Sequence, residues 1–284
     1  MPSAPVPTVP LPADQVPPGG PRHPVALLAI RRRLSPSALA GTAGLVGVLI
    51  LWQLVGAIFF HKTQAIPTPT AVLRQMGKDG WSFYWPNLQT TLAEAMKGWF
   101  WGNLLAVGAA MLFLIAPVFE RPLLQLGVAS YCLPPVAILP IFAIVFSGET
   151  PKVILAAMSV FFTTLIGTLV GLRSADAAAL DLIHAYGGGT SKKLIKVRLP
   201  ASLPSMFAGL CIAAPAAVLG AIIGEFLGGN RGLGVAMINS MQALDIARTW
   251  GIALVATAAA GAGYALTTFV GRLLTPWAPR GARA

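Results

Sequence analysis

The sequence predicts an all-α, polytopic membrane protein with six transmembrane helices, and three observations carry that expectation. Of the 284 residues, 56% are hydrophobic and only 10% are charged, whereas aqueous globular domains carry about a quarter charged residues. The mean hydropathy is +0.73, the opposite of the polar composition that disorder requires. The apolar residues are also gathered into runs of about 20, the length that crosses roughly 30 Å of hydrocarbon.

Taken in order, the runs place spans at about 39–60, 98–118, 126–147, 152–172, 206–227 and 249–274. The first has no charge between Arg33 and His61. The third carries Pro134, Pro135 and Pro140, which kink a helix and free carbonyls that a cavity or a neighbouring helix must satisfy. The six spans form one domain, 31–278, flanked by tails at 1–30 and 279–284. Nine prolines in the first 24 residues favour a disordered, extended cytoplasmic tail. No small-residue cleavage site follows an apolar segment there, so Arg31 to Phe60 reads as an uncleaved anchor.

The 20 Lys and Arg residues set the orientation. With a cytoplasmic N-terminus, thirteen fall on inner segments and seven, among them Lys152, Arg231 and Arg248, on outer ones. Both termini are therefore expected inside. A formal charge of +11 is then mostly a topology signal, and no nucleic-acid partner is expected, because the basic residues flank apolar runs instead of forming a basic face. Cys132 and Cys211 lie in apolar stretches without motif spacing, so neither a disulfide framework nor a metal site is implied.

The stretch between the fourth and fifth spans, 173–204, is long for a helical connection and strongly patterned. Asp176 can cap a helix running to Tyr186, with Ala179, Leu180 and Ile183 at helical spacing. Gly187, Gly188 and Gly189 end it, since glycine enters left-handed conformations cheaply. A second, basic helix from Ser191 to Arg198 is expected to stop before Pro200.

This segment resembles the cytoplasmic motif EAA-x3-G-x9-I-x-LP of the membrane-spanning permease subunits of ATP-binding-cassette importers. The pattern reads Asp181, Leu182, Ile183, Gly187, Val197, Arg198, Leu199 and Pro200 at the family's spacing, with Asp for Glu, Leu and Ile for the two alanines, and Val for Ile. The resemblance extends over most of 40–275. Leu133 to Leu139, GETPK at Gly148 to Lys152, GLRSAD at Gly171 to Asp176, GAIIGEF at Gly220 to Phe226 and RGLG at Arg231 to Gly234 look like the subgroup importing taurine, alkanesulfonates, nitrate or bicarbonate, and thiamine precursors.

The resemblance implies a type I importer permease fold in the inner membrane. It implies a homodimer of permeases, two ATPase subunits and an external solute-binding protein, carrying a small anionic or zwitterionic solute. In that family the motif docks in a groove of a separate ATPase, which places the coupling contacts at Asp181, Leu182, Ile183, Ala185, Tyr186, Gly187, Val197, Leu199 and Pro200. ATP and Mg are expected on that partner, with no cofactor in this chain. GGGTSKK does not make a phosphate loop here: no glycine precedes Lys192 or Lys193 and no strand leads in.

Glu225 is read as the only acid embedded in a span, either pairing with Arg231 or capping the following turn, with a role in the translocation path as the rival. Ser130, Tyr131 and Pro134 are the other pathway candidates. Glycines at four-residue spacing (Gly98 and Gly102, Gly167 and Gly171, Gly220, Gly224 and Gly228) read as helix packing. The tryptophans at 81, 85, 99, 101, 250 and 277 fall near the expected span ends. An ion-gradient-driven secondary transporter is the rival function, but it calls for internal repeats and mid-membrane charges. A membrane-embedded enzyme calls for a cluster of catalytic groups within the spans. Neither pattern is found.

Overall fold

The computed structural model describes residues 36–60 and 65–278; the expected tails, 1–30 and 279–284, and His61 lie outside them. The chain divides into two compact units at Gly47 and Val48. The described part of the first is the opening half of helix α1, Pro36–Ile58, in which a Cβ added to Gly41, Gly44 or Gly47 would have open space around it. The second unit holds everything else.

Within that unit, α2 (Pro69–Asp79) leads into α3 (Trp81–Ile115), and a single turn (Pro117–Phe119) leads into α4 (Glu120–Cys132). Helices α5 (Pro135–Val145), α6 (Thr150–Arg173), α7 (Ala177–Ala185), α8 (Thr190–Lys193), α9 (Leu199–Leu227), α10 (Leu233–Gln242) and α11 (Ile246–Leu274) follow. No strand occurs among the described residues. Among the described residues five helical stretches are long and apolar enough to cross a membrane: Gly41–Ile58, Trp81–Ile115, Thr150–Arg173, Thr190–Phe226 and Ile246–Leu274.

Five expectations need correcting. The second span begins not near residue 98 but at Trp81, giving a helix of 35 residues. Its added turns contain Asn87, Thr91 and Glu94, so Glu225 is not the only acid inside a long apolar helix, and Trp99 and Trp101 sit mid-helix instead of at an end. The third stretch is not one helix: Leu133 and Pro134 are extended at ψ 127° and 120° between α4 and α5. Each precedes a proline, whose ring disfavours the helical region for the residue before it. Pro140, by contrast, is accommodated inside α5.

The basic helix likewise does not stop before Pro200. A wide turn over Leu194–Arg198, in which the Leu199 amide donates to the Leu194 carbonyl, joins α8 to α9 without interruption. Pro200 cannot donate a ladder bond and its ring crowds the carbonyl four residues back. The five-residue spacing just ahead of it gives that room.

The core is formed where α3, α6 and α9 meet through small residues, because close approach of backbones is what holds helices together in lipid. Ala95, Ala156, Val160, Ala213, Ala217 and Ala221 are buried there. A Cβ on Gly98 would overlap Ala156, and one on Gly220 would lie 2.8 Å from the Ala156 Cα. One on Gly171 would lie 2.8 Å from the Ser202 carbonyl. The glycine stripes are thus packing, as expected, except Gly228, which meets nothing within 4 Å. A second cluster, with Tyr84, Leu88, Leu233, Ile252 and Val255, ties α3 to α10 and α11.

Candidate functional site: the coupling segment and the Glu225 cluster

Helix α7 starts and stops where its sequence dictates. The Asp176 carboxylate accepts from the Ala178 amide at 3.2 Å, satisfying a first-turn donor. At the other end the Gly188 amide donates to the Ile183 carbonyl at 2.8 Å and the Gly187 amide to that of His184 at 2.9 Å. This paired arrangement places Gly187 at φ +73°, where a side chain is costly. Gly188 is required for a different reason: a Cβ there would overlap Ile183.

None of the residues of α7 is buried. Asp181, Leu182, Ala185, Tyr186 and Gly187 are all exposed, Leu182 at 58% and Tyr186 at 83%, while Ile183 is half-buried. The structure therefore brings Asp181 to Gly187 together on one projecting helix that offers apolar side chains outside the bundle. Val197, Leu199 and Pro200 are not part of that surface. They form the root of the segment, where the wide turn enters α9 and Leu194 packs against the cluster of Ala106, Phe113, Leu165 and Leu172.

At the far end of α9, Glu225 is 1% exposed. Its Oε2 accepts from the Gly234 amide at 2.6 Å and its Oε1 from the Thr91 hydroxyl at 2.7 Å. Thr91 in turn accepts from the Leu233 amide at 2.8 Å, and Asn87 accepts from the Gly232 amide at 3.2 Å. Consecutive donors at the start of α10 are thus capped by side chains from α9 and α3, since a helix N-terminus leaves its first amides without intrahelical partners. Gly232, at φ +132°, leaves no room for a Cβ against the Glu225 carboxylate, and a Cβ on Gly234 would lie 2.9 Å from it. Of the two local readings of Glu225, capping of the following turn is what the structure shows; Arg231 is exposed and does not pair with it.

Beside Glu225, Lys152 Nζ lies 2.9 Å from Glu94 Oε1. Lys152, expected on an outer segment, therefore directs its charge into the bundle. Cavities of about 200 and 230 Å³ border α10. The first is lined by Phe83, Asn87, Asn230, Asn239, Ser240 and Arg248 and the second by Glu225, Phe226, Gly228, Gly229 and Asn239. Tyr131 and Pro134 are exposed, the Tyr131 ring lying 5.3 Å from that of Phe162, and neither adjoins the Glu225 cluster. The side chain of Ser130 lies outside the described residues.

Sequence reasoning missed Asn87, Thr91, Glu94 and Lys152 as one cluster. The signal was present as a polar and small stripe, Asn87, Thr91, Glu94, Gly98 and Gly102, at helical spacing.

Comparison with known proteins decides the family. The model for the binding-protein-dependent transport system inner membrane component matches residues 102–279. The chain belongs to that family. A probable ABC transporter permease protein of Haemophilus influenzae is 32% identical over 204 residues, covering 71% of this chain and 83% of that protein. The formylaminopyrimidine transport permease protein ThiX of Halalkalibacterium halodurans is 27% identical, covering 86% and 97%. The taurine transport system permease protein TauC of Escherichia coli is 26% identical, covering 86% and 91%. The protein is thus a multi-pass inner-membrane permease subunit of an ABC importer with the type I permease fold, and not a secondary transporter. It is a transport protein that works with an ATPase and a solute-binding partner. In this permease GAIIGEF and RGLG are one physical unit, because Glu225 of the first accepts from the amide of Gly234 in the second.

Proposed function

We propose that this permease forms the pathway for uptake of a small organic or inorganic anion or zwitterion, such as a sulfonate, nitrate or a thiamine-precursor-like compound. Two copies form the pore, two separate ATPase subunits bind ATP and Mg, and an external solute-binding protein delivers the solute. Both termini face the cytoplasm, so that α7 and α8 lie on the cytoplasmic side and α10 on the external side. The solute class rests on relatives named for taurine, aliphatic sulfonates and formylaminopyrimidine. The coupling role rests on one observation above all: Leu182 on α7 and Tyr186 at its C-terminal cap are unburied, and the helix after them continues without a break into α9.

In this reading Asp181, Leu182, Ile183, Ala185, Tyr186 and Gly187 contact the ATPase, and Val197, Leu199 and Pro200 transmit its movement to the spans. ATP shifts the permease between inward-open and outward-open states only through its different affinity for the two ATPase arrangements. Ser130, Tyr131, Pro134 and Glu225 are assigned to or beside the translocation path.

The experiment is uptake into proteoliposomes holding this permease with its partner ATPase and solute-binding protein, with taurine and a formylaminopyrimidine as solutes. Accumulation that requires ATP on the ATPase side supports the reading. Accumulation without the ATPase contradicts it. Reporters fused after Ala201 and after Met76 are expected on the cytoplasmic and external sides respectively; the reverse overturns the orientation.

A further inference from the structure

We infer that Glu225 is a positioning residue that makes α10 move with α9, so that movement of the coupling segment reaches the opposite end of the permease. The inference rests on the coupling role proposed above and adds the element at the far end of the lever.

Three observations carry it. First, the helical run from Thr190 is continuous to Leu227 through the wide turn at Leu194–Arg198. Thr190 and Glu225 are therefore separated by about 50 Å of helix at 1.5 Å per residue. Pro204 and Pro215 do not interrupt it. The run lies against α6 so closely that Cβ atoms on Gly171, Gly220 and Gly224 would each come within 2.8 Å of α6 or α9 atoms, which leaves little room for bending.

Second, α10 is fastened at its N-terminus by side chains and not only by the chain. Glu225 holds the Gly234 amide and, through Thr91, the Leu233 amide. Carboxyl oxygens that accept at that end also meet the partial positive charge of the helix N-terminus. The contact is buried, and Gly232 and Gly234 have no side chains that would push the carboxylate away. A displacement of α9 therefore carries α10 unless these bonds break.

Third, the other end of α10 has a place to absorb the displacement. Three residues, Ala243 to Asp245, link it to α11, and Leu244 among them is held at φ +58°, the one positive-φ residue other than glycine among the described residues. Cavities border the moving helix, so a shift of α10 changes their shape. Asn239 borders both.

The test reads α10 from Asn239→Cys and the coupling segment from His184→Cys, an exposed position on α7 outside the proposed contact set, with Cys132 and Cys211 replaced. The rate of maleimide labelling is measured in the reconstituted complex, nucleotide-free and trapped with ATP and vanadate. Wild-type Glu225 is expected to give a nucleotide-dependent rate at both positions. Glu225→Gln keeps an acceptor for the Gly234 amide and a donor for Thr91, and retains the response at Asn239→Cys. Glu225→Ala loses it there while His184→Cys still responds, a separation that general destabilisation does not produce.

Should Glu225→Ala fail to assemble, Glu225→Met, which fills similar space but accepts from neither the Gly234 amide nor the Thr91 hydroxyl, is expected to lose the response in the same way. An undiminished response at Asn239→Cys in Glu225→Ala or Glu225→Met overturns the inference. So does a wild-type α10 that ignores nucleotide while His184→Cys responds, which leaves the coupling role standing. Silence at both positions overturns both.

Discussion

Lys152 on α6 and Glu94 on α3 form an ion pair of 2.9 Å with only 8% and 2% of their side chains exposed. A pair so enclosed is costly to desolvate and costlier to leave half-made. Lys152→Met therefore destabilises the permease by about 3–5 kcal/mol, the range for a buried charge left without its partner. The double variant Lys152→Met with Glu94→Leu recovers most of the loss, because removing both charges removes the desolvation cost. Thermal unfolding of the solubilised protein checks this; a double variant as unstable as the single one contradicts it.

The α3–α6 contact depends on the absence of a side chain at Gly98. Gly98→Ala pushes a methyl into Ala156 and the Val153 carbonyl and costs about 1–3 kcal/mol by overpacking. Gly108, on the same helix, meets nothing within 4 Å, so Gly108→Ala is neutral or stabilises by up to about 1 kcal/mol through helix propensity. Paired melting curves distinguish them, and equal effects at the two sites refute the packing account.

Asp79, outside the spans, accepts from Arg248 at 2.7 Å, Gln75 at 2.9 Å and the Tyr84 hydroxyl at 3.2 Å. Burial pushes its carboxyl up, but these partners, the Arg248 guanidinium first, more than offset burial and hold it below the usual value of 3.8. A group whose pKa is lowered in the folded state contributes stability that is present above its unfolded pKa and is lost as pH falls through the folded one. Asp79→Asn is therefore less stable at neutral pH and flattens the decline in stability below about pH 4. An acid limb of unchanged steepness in Asp79→Asn denies Asp79 that role.

The ends of α7 were legible because each is a local device: an acid two residues before a helical amide, and a glycine where φ must be positive. Asp176→Ala is expected to cost the helix about 1 kcal/mol of cap, and Gly187→Ala about 1–2 kcal/mol of left-handed strain. Both appear as faster amide exchange in residues 177–185 relative to α6. Unaltered exchange in both variants contradicts the cap geometry.

What the sequence hid has a physical pattern. Glu225 reads as an interfacial acid because its partner Thr91 lies 134 positions away, beyond any local signal. The first turns of α3 fall outside the expected span because Asn87, Thr91 and Glu94 dilute hydropathy; in the structure Thr91 bonds Glu225 and Glu94 Oε1 pairs with Lys152, while Glu94 Oε2 is buried without a hydrogen-bond partner. Pro134 and Pro135 predict a disturbance, and only the structure distinguishes a kinked span from two short helices. Among the described residues five helices are long and apolar enough to cross a membrane, and the third expected stretch is divided at Leu133–Pro134 into α4 and α5.

The central claim is that the projecting α7 couples this permease to its ATPase. The direct measurement is ATP hydrolysis by the reconstituted complex, with and without loaded binding protein, in wild type, Asp181→Lys and Gly187→Val. The account predicts that loaded binding protein stimulates hydrolysis in wild type, and that both variants assemble but lose stimulation and uptake together. Stimulation and uptake at wild-type levels in both variants contradict it.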